Sequence, residues 1–155
     1  MKASVARVLE SLEALGVRTN VTEFPQSTRT AAEAAAAVGA EVGQIVKSLI
    51  FLAGAQPILA LVSGTNRADT TKLAALAGAP IRRADADAVR AATGYAIGGV
   101  PPVGHSAPLP TYLDRDLMRY STVWAAAGTP NAVFPIAPAE LQRVTGARLV
   151  ELAAE

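Results

Sequence analysis

Apolar residues at Val5, Val8, Leu9, Leu12 and Leu15 recur three or four apart before Gly16, which predicts an amphipathic helix over residues 3–15. From Val17 to Phe24 the chain turns rich in β-branched residues, a strand pattern ended by Pro25 and the polar Gln26-Ser27-Thr28. Thr30 and Glu33 stand three apart ahead of an alanine run that Gly39 closes, the signature of a capped helix. Ile45-Val46-Lys47-Ser48-Leu49-Ile50-Phe51 is mostly apolar at both parities, so a strand over 45–53 is expected to be central and covered on both faces. Gly54-Ala55-Gln56 then turns the chain into a second strand over 57–63.

Ser63-Gly64-Thr65-Asn66 is a turn, followed by a helix from Asp69 to Ala77 that Gly78 ends. A brief strand at Ile81 precedes a helix that Asp85 caps and that runs to Ala92. The stretch from Gly94 to His105 predicts a short strand and then a loop, its glycines allowing close backbone approach and Pro101 and Pro102 stiffening it. A strand over 109–113 leads to a turn or short helix at Asp114-Arg115-Asp116. Thr122–Ala127 and Asn131–Ile136 make a hairpin around Gly128-Thr129-Pro130. Pro138 opens a last helix that Gly146 terminates, and Leu149–Leu152 adds an edge strand. Hairpins interspersed with helices, without regular βαβ alternation, indicate an α+β fold with a mixed, largely antiparallel sheet.

Length and composition narrow the classes. With 155 residues, 51% of them hydrophobic and 17% charged, the expectation is one domain over 1–155 with its own core. The absence of cysteine excludes disulfides, a thiol nucleophile and thiolate metal sites, and fits a cytoplasmic protein. A single histidine excludes a His-based metal cluster, and no cofactor motif is present, so neither metal nor cofactor is expected. The start, Met1 to Arg7, lacks an apolar signal core, and the longest apolar region is broken by Lys47, Gly54, Gln56 and Pro57; no membrane span is expected. A net charge of +1 does not fit a dedicated nucleic-acid coat protein, and no DNA partner is expected, although Arg82, Arg83 and Lys72 are candidates for a local RNA contact.

Two stretches carry the chemistry. Lys47 lies in so apolar a run that its charge needs a partner, an anionic ligand or an opening to solvent. The glycine-rich loop can aim N–H groups at an anion or a developing oxyanion. Strand alternation puts Lys47 on one face with Ile45, Leu49 and Phe51, and Ser48 on the other. His105 has no evident nucleophile beside it, so it reads as a structural residue holding the loop, with general-base chemistry as the alternative.

Ile45-Val46-Lys47-Ser48-Leu49 followed by Gly94-x-x-x-Gly98-Gly99-x-x-Pro102-x-Gly104-His105 resembles the YbaK and prolyl-tRNA synthetase-associated editing-domain family over nearly the whole chain. The resemblance implies a strongly curved sheet surrounded by helices and hydrolysis, in trans, of the aminoacyl ester of a mischarged tRNA. Such an ester is activated enough that placing a water and stabilising the oxyanion suffices without a covalent nucleophile. By the same resemblance Lys47 binds the terminal phosphate or polarises the carbonyl, and Gly98 and Gly99 offer amides near the reacting carbon. Phe24, Ser48, Pro102, Gly104, His105 and Asn131 fall around the substrate. The partners implied are the acceptor end of an aminoacyl-tRNA and, as a further candidate, an aminoacyl-tRNA synthetase. The competing reading is a non-catalytic module that holds a tRNA end, a nucleotide or a protein in the same pocket; the missing Ser/His/Asp signature disfavours a small-molecule esterase.

Overall fold

The computed structural model describes residues 2–155 except Ser27 and Arg29, so Met1 and the middle of the Gln26-Ser27-Thr28 stretch lie outside the described residues. Five helices and eight strands follow in the order α1 (Ala3–Ala14), β1 (Thr22–Glu23), α2 (Ala31–Val38), β2 (Val46–Ala53), β3 (Gln56–Ser63), α3 (Thr70–Ala77), β4 (Ile81–Arg83), α4 (Ala86–Thr93), β5 (Thr111–Asp114), β6 (Val123–Ala126), β7 (Ala132–Ile136), α5 (Pro138–Thr145) and β8 (Arg148–Val150). The capping residues act as their types predict. Thr30 accepts from the Glu33 N–H, Asp69 from Thr71 and Lys72, and Asp85 from Ala88, which satisfies amides that the first turn leaves unpaired.

The fold is α+β with mixed, largely antiparallel strands, divided into a five-stranded sheet β4-β2-β3-β5-β8 and a three-stranded sheet β1-β7-β6. A bridge between Ile45 and Trp124 joins them. Among the described strands the parallel pairings are β5 with β3 and β5 with β8, and the Ile45–Trp124 bridge is parallel as well. β2 is central, as its apolar character at both parities requires. Val46 and Ile50 enter the larger core with Leu59, Leu61, Val5, Val8, Leu12 and Phe134. Phe51 and Ala53 enter a second core with Ile58, Ala60, Val62, Leu73 and Leu152. Each large aliphatic or aromatic side chain so buried contributes about 1.5–3 kcal/mol relative to exposure.

Two strand expectations are corrected. β1 spans two residues, because only Thr22 and Glu23 reach a partner, on β7. No strand forms between Gly94 and Pro110; glycine and proline there build turns in place of a ladder. Among the described residues no helix is long and apolar enough to cross a membrane.

Candidate functional site

The site lies where β2 loses its neighbour. β4 pairs with β2 only at Phe51, Leu52 and Ala53, and the last contact on that side is the Ala84 N–H donating to the Ile50 carbonyl. Between there and the bridge at Ile45, residues 46–49 have no strand partner on this edge among the described residues. A cleft of about 380 Å³ opens against the free edge, walled by Ala31 and Ala34 of α2, Trp124 and Ala126 of β6, Ala132 and Val133 of β7, and the Ile97–Val100 turn. Because the cleft wraps around an edge, Lys47 and Ser48 both border it although their side chains leave opposite faces of β2.

Lys47 shares its face with Leu49 and Phe51, and its ammonium donates to the backbone carbonyl of Asn66. Burial pushes its pKa below the ordinary 10.5; Asp114 pulls it back up, and Arg83 lowers it further. Asp114 is 1% exposed and fully occupied: Oδ2 accepts from the Ser63 N–H at 3.0 Å and the Asn66 Nδ2 at 2.9 Å, and Oδ1 from the Asp116 N–H at 3.0 Å. The Asn66 amide also reaches Asp116 Oδ2 at 2.8 Å. Asp114 therefore orients the very turn whose carbonyl holds Lys47. That turn needs Gly64, since a Cβ there would stand 2.2 Å from the Val42 carbonyl oxygen.

Ala96–Gly99 forms a turn closed by the Gly99 N–H donating to the Ala96 carbonyl at 3.0 Å, with Gly98 at φ 88°, as a type II turn requires. The expectation that both glycines offer amides is thereby corrected. Gly99's N–H is spent on the turn, whereas Gly98 borders the cleft and its amide makes no backbone hydrogen bond among the described residues. Gly99 has a packing role instead: a Cβ would lie 2.8 Å from the Thr129 backbone, so only glycine lets the two loops meet.

The other expected substrate contacts are not brought to this cleft. Pro102, Gly104 and His105 line a separate cavity of about 320 Å³ with Leu15 and Thr145. There Tyr95 donates to the Gly104 carbonyl at 3.0 Å, and His105 Nε2 lies 2.6 Å from the Pro101 carbonyl. Asn131 is consumed as a strut, its amide donating to the Phe24 carbonyl at 2.9 Å and its oxygen accepting from Thr129 at 2.8 Å. Phe24 in turn is tied to Asn131 through its own N–H, at 2.8 Å, and neither residue lines the cleft. Lys72 is held by Glu151 and the Ala153 carbonyl, which leaves it a poor phosphate ligand.

Arg83 is the cleft residue that the sequence least distinguishes from its neighbour Arg82. The register Phe51↔Arg83 puts it on the Lys47 face of β2, and it lines the cleft beside Lys47. Among the described residues no Asp or Glu lines the cleft.

Burial holds the His105 pKa below the usual 6.5, with the Pro101 bond acting in the opposite direction. The unfolded chain, titrating at the usual value, therefore takes up the proton first. Stability is full above about pH 6.5, declines as the pH falls below it, and levels once folded His105 is itself protonated. Urea unfolding from pH 8 to 5 should show this decline, and His105→Gln should flatten it; an identical profile in the variant would disprove the assignment.

Against this geometry stand the similarities to other proteins. The family model for the aminoacyl-tRNA editing domain matches residues 25–144. YwhH of Bacillus subtilis, an uncharacterised protein, is 37% identical over 79% of this chain and 78% of its own. EbsC of Enterococcus faecalis, a candidate Cys-tRNA(Pro)/Cys-tRNA(Cys) deacylase, is 29% identical over 79% of this chain and 76% of its own. The crystal structure of a candidate trans-editing enzyme for prolyl tRNA synthetase superposes with a TM-score of 0.96 at 54% identity, covering 100% of this chain and 99% of that one.

Proposed function

Given that the chain belongs to the aminoacyl-tRNA editing domain family, we propose that it is a trans-acting deacylase whose β2-edge cleft hydrolyses the aminoacyl ester of a mischarged tRNA. The observation that carries this reading is a cleft with two basic side chains, Lys47 and Arg83, no lining carboxylate among the described residues, and the unspent Gly98 amide at the same mouth. Cations with no carboxylate beside them in the cleft wall among the described residues suit the phosphate next to the terminal ribose. An amide held by a rigid turn suits the oxyanion that forms when water adds to the ester carbon. The new carbon–oxygen bond comes from water, the bond to the ribose oxygen breaks, and that oxygen takes the proton. Free amino acid and uncharged tRNA result.

The mostly apolar inner wall, from Ala31, Ala34, Ile45, Trp124 and Val133, receives the amino-acid side chain. The test is release of amino acid from matched and mismatched alanyl-, cysteinyl-, seryl- and threonyl-tRNAs. Selective hydrolysis is expected; tRNA binding with no ester cleaved would make the cleft a recognition site and end the deacylase reading.

Arg83→Gln is expected to weaken tRNA binding and to make the salt dependence shallower by about 0.7–0.9 in the log–log slope, the share of one phosphate contact. Binding titrations between low and physiological salt decide it. An unchanged slope would remove Arg83 from the interface.

A further inference from the structure

The hydroxyl of Ser48 is the one side-chain nitrogen or oxygen among the described residues that is both shut from solvent and without a hydrogen-bond partner. Buried hydroxyls are nearly always satisfied, so this one calls for a physical reason. A strand offers no nearby i−4 carbonyl of the kind that serine uses on a helix. Ser48 shares its face of β2 with Val46 and Ile50, which points it toward the second sheet, where Val100, Ala126 and Ala132 line the cleft.

The donors of the other hydroxyls on that wall are spent: Thr30 donates to the Glu33 carboxylate, Thr28 to the Pro130 carbonyl, and Thr129 to Asn131. Among the described residues of the wall, Ser48 alone has a hydroxyl with no hydrogen bond in either direction. The residue as a whole is half-buried and borders the cleft, and its χ1 bond has three staggered positions, so the hydroxyl has rotamers other than the sealed one.

Resting on the deacylase reading above, we propose that Ser48 sets the choice of amino acid, favouring esters whose short side chain bears a hydroxyl, seryl and threonyl, over alanyl. A substrate hydroxyl can donate to and accept from Ser48 where the wall is otherwise apolar or has no free hydroxyl donor. An alanyl methyl leaves the Ser48 hydroxyl unpaired, and a thiol pairs with it only weakly. A site that hydrogen-bonds a substrate hydroxyl rejects the analogue lacking it more strongly than an apolar pocket rejects a methylene.

Initial rates on seryl-, threonyl-, cysteinyl- and alanyl-tRNA, all carried on one tRNA, test the proposal with wild type, Ser48→Ala and Ser48→Thr. Wild type should cleave seryl and threonyl esters about tenfold faster than alanyl, with cysteinyl between, as one hydrogen bond to an otherwise unpaired group implies. Ser48→Ala should bring the seryl-to-alanyl ratio close to one, and Ser48→Thr should keep it high. Equal wild-type rates would overturn the proposal while leaving the deacylase reading standing. So would a Ser48→Ala variant that slows all four esters alike, since the hydroxyl would then serve the common ammonium group or the fold. Failure to cleave any ester would remove the deacylase reading and the proposal together.

Discussion

Lys47→Ala should lower aminoacyl-ester hydrolysis by about a hundredfold or more, the usual cost of removing one preorganised charge-stabilising donor. The fold should survive, because the lysine's charge is disfavoured by its own burial and its one side-chain hydrogen bond among the described residues is to a backbone carbonyl. Thermal unfolding of the variant should therefore match wild type or lie slightly higher. Single-turnover rates over a range of enzyme concentrations separate the two roles open to the ammonium. If it holds the phosphate, the concentration for half-maximal rate rises and the plateau persists; if it polarises the carbonyl, the plateau falls. A folded variant with wild-type kinetics in both respects would remove Lys47 from the chemistry.

The second large effect is expected at Asp114, which does not line the cleft. Asp114→Ala strips acceptors from the Ser63 and Asp116 amides and the Asn66 side chain at a site only 1% exposed. A loss of about 3 kcal/mol follows, or about 10 °C in the unfolding midpoint for a chain of this size. Asp114→Asn keeps an acceptor and should cost less stability while removing the negative charge that raises the Lys47 pKa. With that charge gone, Lys47 loses its proton at lower pH, so the alkaline limb of the deacylation profile should move to lower pH. An unmoved limb in a stable Asp114→Asn protein would show that Asp114 supports the turn alone.

How much of this was legible in the sequence depends on the range of the interaction. Thr30, Asp69 and Asp85 announce helices because a cap is settled within four residues. The β2–β3 hairpin was legible for a similar reason, its two strands lying one short turn apart. Lys47 stood out because a charge in an apolar strand is locally anomalous. Asp114 did not, since it meets the Asn66 turn only through the parallel pairing Leu61↔Leu113, which joins residues far apart in the chain. Arg83 and Arg82 look alike in sequence, and it is the register with β2 that puts Arg83 on the face of Lys47. Loop contiguity misled at the other end. Gly98 and His105 are seven residues apart, yet the turns between them send one to the β2 cleft and the other to the cavity beside Leu15 and Thr145.

The unpaired edge of β2 carries a hazard along with its chemistry. Exposed strand edges recruit other chains, and proteins commonly blunt them with lysine or by burying them under loops. Here the edge runs for only four residues, carries a lysine, and is recessed between α2, the Ile97–Val100 turn and β6. A second copy's strand would have to enter the cleft to pair with it, whereas the thin, flexible end of an RNA chain meets no such barrier. The recess that leaves room for a small ligand thus also keeps a second copy's strand from pairing with this stretch of β2.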